Sequence, residues 1–171
     1  MKLILQGHNY CYAVEQSLLA FFPTERPVYN GGDPHTATVT LSVEGDAARS
    51  DTAITVEGRT GHGTASVAVP PSADGCTRER LCQRAVKLSF FHAAQDLTGR
   101  TPAWGALTGI RPAKVAVSLL EEGHTAEEAD AVLRDTYCIS PSRRRLCMEC
   151  ALAELAADRG RTDRDVSLYL G

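Results

Sequence analysis

Between Ala103 and Lys114 the chain places its only tryptophan, two glycines, a proline and two cations within twelve residues. Pro112 suits the first position of a helix, where a missing N–H costs nothing, and it biases Arg111 toward an extended or capping conformation. Arg111 then lies where the amides of Ala113 and Lys114 point. A guanidinium, a helix N-terminus and a lysine one turn in predict a seat for a carboxylate or phosphate. Trp104, Thr108, Arg111 and Lys114 are the candidate residues. The competing reading is an ordinary loop-to-helix junction, with Trp104 packed in a core and Arg111 paired to a nearby acid.

Other reactive residue types form weaker patterns. Six cysteines, at 11, 76, 82, 138, 147 and 150, are many for this length, yet only Cys147 and Cys150 share a Cys-x-x-Cys spacing. That pair lies inside an Arg- and Ala-rich helical run rather than at a helix start after a strand, and no second pair is spaced for zinc. The cysteines are read as small helix residues in a reducing compartment, with no metal assigned to them. His62 sits in Gly-Arg-Thr-Gly-His-Gly, which lacks both the P-loop Lys-Ser/Thr and the dinucleotide glycine spacing, so a hairpin turn over 58–63 is expected.

Those residues need elements to hold them. With 171 residues and 43% apolar content the chain can bury a core, and a net charge of −3 argues against a generic nucleic-acid binder. No apolar run approaches a membrane span, which places the protein in the cytoplasm. Leu3 to Gln6 reads as a short strand, with Asn9 as a candidate cap for a helix over 10–22. Alternation predicts strands over 36–43, 52–57 and 64–69. Thr77 is expected to cap a long helix ending at Gly99, with Arg78, Arg80, Arg84 and Lys87 on its polar side. Three helices follow: 112–122, one opened by a Thr125/Glu128 capping box, and one from Ser140-Pro141 to about Asp158.

The predicted class is α+β. A small antiparallel sheet with two helices (1–99) is followed by a helical segment (100–160), then by a linker and the first strand of a further domain (161–171). That last strand, Asp165-Val-Ser-Leu-Tyr-Leu-Gly171, has no partner after it, so the chain reads as the front part of a longer protein.

Trp104-Gly-Ala-Leu-Thr-Gly-Ile-Arg-Pro112 with Lys114, followed by the closing Asp165–Gly171 string, resembles the N-terminal region of HemZ-type coproporphyrinogen dehydrogenases. These are oxygen-independent coproporphyrinogen III oxidase-like radical S-adenosylmethionine proteins. The resemblance implies a [4Fe–4S] cluster and S-adenosylmethionine in the full-length protein, bound beyond Gly171, and oxidative decarboxylation of porphyrinogen propionates. It implies no catalytic residue and no cofactor within these 171 residues. The partners it implies are a radical S-adenosylmethionine barrel of the same chain and a polycarboxylate porphyrinogen, with Arg111 and Lys114 at the interface or the substrate. The alternative is a double-stranded-RNA-binding module, because helix, three antiparallel strands and helix follow in that order. Glu79 within the basic cluster and the acidic overall balance count against it.

Overall fold

In this computed structural model residues 1–108 and 111–158 are described, and the chain divides into two compact units, Met1–Thr108 and Gly109–Gly171. The division falls inside the 103–114 stretch. Trp104 and Thr108 thus belong to the first unit, Arg111 and Lys114 to the second.

The first unit runs β1 (Lys2–Gln6), α1 (Cys11–Phe21), β2 (Thr36–Glu44), β3 (Ala47–Val56), β4 (Arg59–Ala68) and α2 (Gly75–Thr98). Its four strands lie in the order β1-β2-β3-β4. β2, β3 and β4 form the expected antiparallel meander, with Thr36 opposite Thr55 and Ala53 opposite His62. β1, however, pairs with β2 in parallel, Lys2 opposite Thr36, so the sheet is mixed rather than antiparallel. The cause is α1, a crossover that returns the chain in the direction it started.

Inward positions alternate as a one-sided sheet requires: Ala37, Val39 and Leu41 on β2, and Ala48, Ser50, Thr52 and Ile54 on β3, are all buried. The strand limits differ from the sequence reading. The turn occupies only Glu57 and Gly58, with φ of 50° and 77°, the primed geometry of a two-residue hairpin. β4 therefore includes Gly61, His62 and Gly63, which were expected in a turn. A Cβ at Gly61 would meet the Ala93 carbonyl, and one at Gly63 the Ala93 nitrogen and the Ser89 carbonyl. Glycine is placed here so that α2 can lie directly on the strand.

α2 is fixed by more than shape. The Ser89 hydroxyl lies 2.8 Å from both Ser50 and Thr52 and donates to Val86 O at 3.0 Å, so it accepts from its two neighbours, and Ser50 Oγ also lies 2.9 Å from Thr40 O. This buried polar cluster is internally paired, which sets the helix's position along β3. Phe90, Phe91, Val86, Val14 and Leu18 are buried in the same unit, and Phe21 meets Phe91 edge-on at 5.5 Å. The N-cap of α2 is Asp74, which accepts from the Thr77 amide at 2.6 Å, and left-handed Gly99 closes the helix as expected. The N-cap of α1 is Tyr10 rather than Asn9; the Tyr10 amide donates to His8 Nδ1 at 3.1 Å.

The second unit contains α3 (Ala113–Glu121), α4 (Ala126–Asp135) and α5 (Pro141–Asp158). The Thr125/Glu128 capping box forms in both directions, at 3.2 and 2.8 Å. After α4 the left-handed Cys138 (φ 55°) turns the chain so that the Ile139 amide reaches Leu133 O at 3.2 Å. Arg144 of α5 then ties the turn down, donating to Asp130 at 2.9 Å and to Ile139 O at 3.0 Å. Among its described residues the buried ones are three alanines (Ala116, Ala129, Ala151) with Leu133, Ile139, Cys147 and Met148. The strand expected over 165–171 lies outside the described residues.

Candidate functional site

Helix α3 begins at Ala113, with Pro112 already in the helical region (φ −62°, ψ −30°). The Lys114 amide donates to the Arg111 carbonyl at 3.1 Å, and the Val115 amide to Pro112 O at 3.2 Å. The Lys114 amide is thus not a free donor for an anion, contrary to the sequence expectation, because a tight first turn closes onto Arg111. The side chains remain available at the surface. Arg111 is 62% exposed and its Nη2 lies 3.6 Å from Glu154 Oε1 of α5; Lys114 is also exposed. An exposed ion pair at that distance contributes about 0–1 kcal/mol, so an incoming carboxylate can replace Glu154 at little cost.

Trp104 lies in a turn of the first unit and Thr108 two residues after it. The Trp104 carbonyl accepts from the Leu107 amide at 3.1 Å, and left-handed Gly105 (φ 58°) donates to Pro102 O at 2.8 Å. Trp104 is half-buried, and the buried Thr108 hydroxyl makes no hydrogen bond among the described residues.

The cysteine pair has unlike members. Cys147 is buried and Cys150 exposed, and burial first, then the neighbouring Cys150, pushes the Cys147 thiol up. A raised thiol is the less reactive kind. Among the described residues no three His, Cys, Asp or Glu side chains gather as metal ligands. The cysteines there do not fit an iron–sulfur cluster, which takes three or four convergent thiolates.

The polar side of α2 is uneven. Arg78 and Arg80 are exposed, whereas Lys87 is half-buried and burial holds its ammonium below the usual lysine range. His62 is exposed on β4, and its amide donates to Asp96 Oδ2 at 2.9 Å.

Two groups of charged residues carried no sequence signal. At one end of β1 the Met1 α-amine donates to Glu25 at 2.7 Å and to Arg26 O at 2.9 Å, with Asp33 at 3.2 Å, while His35 Nδ1 lies 2.8 Å from Glu25. The bonds to the α-amine and His35 hold the Glu25 carboxyl below its usual range. Burial alone would lower the α-amine, but the two carboxylates raise it. The other group, Glu57, Arg59 and Asp96, surrounds a cleft beside the β3–β4 hairpin. Both come together through the fold, from positions that share no spacing.

No protein-family model matches the chain, and no solved structure matches it. The chain is similar to the oxygen-independent coproporphyrinogen-III oxidase-like protein HemZ of Bacillus subtilis, with 38% identity over 84 residues. Those residues are 48% of this chain and 17% of the length of HemZ. The resemblance read from the 103–114 and 165–171 strings therefore points to the same protein type. No helix among the described residues is long and apolar enough to cross a membrane.

Proposed function

We propose that this chain is the N-terminal accessory region of an oxygen-independent coproporphyrinogen III oxidase-like enzyme of the radical S-adenosylmethionine class, acting in porphyrin and haem biosynthesis. The identity to HemZ is the observation that carries this reading. The region has no chemistry of its own. The [4Fe–4S] cluster and S-adenosylmethionine belong to a barrel elsewhere in the protein, and the whole works in the cytoplasm, where the six free cysteines stay reduced.

The role of the region is to support the barrel or to hold the substrate's carboxylates. Arg111 and Lys114 are the residues for that task, since a polycarboxylate needs exposed, directional cations and the Glu154 pairing is easily exchanged. Trp104 and Thr108, which belong to the first unit, are not assigned to that task.

The test uses the full-length enzyme. Arg111→Ala should weaken porphyrinogen binding, or loosen the barrel to limited proteolysis, by about tenfold, and Arg111→Lys should recover only part of it. Unchanged substrate affinity together with unchanged proteolytic stability would remove Arg111 from the proposal.

A second reading keeps the α1-β2-β3-β4-α2 order and the exposed Arg78 and Arg80 as a duplex-RNA module. A gel shift with duplex RNA across a salt series separates the two, because phosphate contacts give steep salt dependence.

A further inference from the structure

Where the C-terminal end of α2 meets the β3–β4 hairpin, the first unit carries a cleft of about 420 Å³. That falls in the range of small-molecule sites, about 300–1,000 Å³. Its floor is apolar: Leu97 is buried, while Phe22 and Val56 are only half-buried, so two large side chains keep surface in contact with water. Its rim is charged. Glu57 is exposed at the first turn position with φ of 50°, a conformation that costs a non-glycine residue energy.

Asp96 approaches from the last turn of α2, and its Oδ2 accepts the His62 amide at 2.9 Å, which fixes the side chain and leaves the other oxygen to accept from elsewhere. The one cation on the rim, Arg59, is drawn toward the helix end, its Nη2 donating to Leu97 O at 3.3 Å. Two carboxylates stand against one guanidinium. The C-terminus of a 24-residue helix adds a partial negative charge at the same place.

We propose that this cleft binds a small organic cation, an ammonium or guanidinium carried on an aromatic or aliphatic body. The body covers Phe22, Val56 and Leu97, and the cationic head lies between Asp96 and Glu57. The site lies within the first unit, shares no residue with the function proposed above and does not depend on it. Its charge also predicts selectivity, since an anion of the same shape meets two carboxylates and a helix C-terminus.

Phenethylamine and 3-phenylpropionate are a matched pair of probes for the full chain, followed by amide NMR shifts. Phenethylamine should give saturable shifts at Phe22, Val56, Leu97 and Gly99 with a dissociation constant of about 1 mM, as a partly buried ring and one ion pair allow. Added salt should weaken it. Glu57→Gln, at an exposed turn position, should weaken it about threefold, and so should Asp96→Asn, whose amide oxygen still accepts from His62. No saturable shift with phenethylamine, an equal response to 3-phenylpropionate, or an undiminished affinity in both variants would overturn the proposal.

Discussion

The two units solve the same problem, fixing helices in place, by opposite means. In Met1–Thr108 the restraints are non-local: Ser89 of α2 bonds to Ser50 and Thr52, 39 and 37 residues away, and α2 lies against bare glycine backbone on β4. In the second unit the hydrogen bonds that fix α4 and α5 are local, a capping box spanning three residues and an arginine that reaches back 5 and 14 residues, and a longer link, Arg111 to Glu154, is an exposed ion pair. The first unit buries a core that includes Phe90, Phe91, Leu18 and Ile54; the second packs α3 and α4 against α5, burying Ala116, Ala129, Leu133, Cys147 and Ala151. The difference predicts that the first unit fails all at once and the second turn by turn.

The harshest way to break the comparison is Gly63→Ala. The added methyl meets the α2 backbone at Ala93 and Ser89, where no rotamer change can relieve it. Overpacking of this kind costs about 3 kcal/mol. Urea unfolding should show the loss in the amides of β3, β4 and α2 together, with α4 and α5 protected as before. A cost under about 1 kcal/mol would mean that α2 is not held by this close approach.

Arg144→Ala tests the second unit. It removes two charge-assisted bonds from a side chain only 15% exposed, at a cost of about 2 kcal/mol. Hydrogen exchange should quicken where α4 turns into α5 and stay unchanged in the sheet. Thr125→Ala is milder, about 1 kcal/mol, and should fray only the first turn of α4. Spread of either effect into β2 or α2 would refute the local character assigned to this unit.

The same contrast explains what the sequence made legible. Thr125 with Glu128, Gly99 after α2 and Ser140-Pro141 before α5 are local signals, and the helices they bound are where they were expected. β3 and β4 were misjudged because their inward positions carry Ser50, Thr52, Gly61 and Gly63 instead of branched apolar residues. Those residues answer to α2, about 30 to 40 positions downstream, and a window of alternating hydrophobicity does not reach that far. The parallel pairing of β1 was hidden for the same reason. At the candidate site, the residue types at Arg111 and Lys114 and the helix start within one residue were readable. The partner Glu154 and the closed Lys114 amide were not, since both depend on how the backbone turns.

The smallest effect concerns His8, which links β1 to α1 and caps the Tyr10 amide with a titratable ring. Its Nδ1 accepts the Tyr10 amide while Nε2, 3.3 Å from Val39 O, carries the proton, so the ring is neutral. Burial, opposed in part by the bond to Val39 O, lowers its pKa below the ordinary 6.5. The unfolded chain therefore takes up a proton before the folded one does, and stability rises with pH through this window. The contribution is complete above pH 6.5 and drains away as the pH falls through the lowered value, when a proton on Nδ1 would face the Tyr10 N–H. Urea midpoints measured from about pH 8 down to about pH 5 should fall on the acid side, and His8→Asn, whose oxygen can still cap Tyr10, should flatten the slope. A slope that survives the substitution would move the acid sensitivity to another group. A flat curve in the unsubstituted protein would mean that the β1–α1 connection holds without the neutral imidazole, and that even its cap belongs to the local class seen in the second unit.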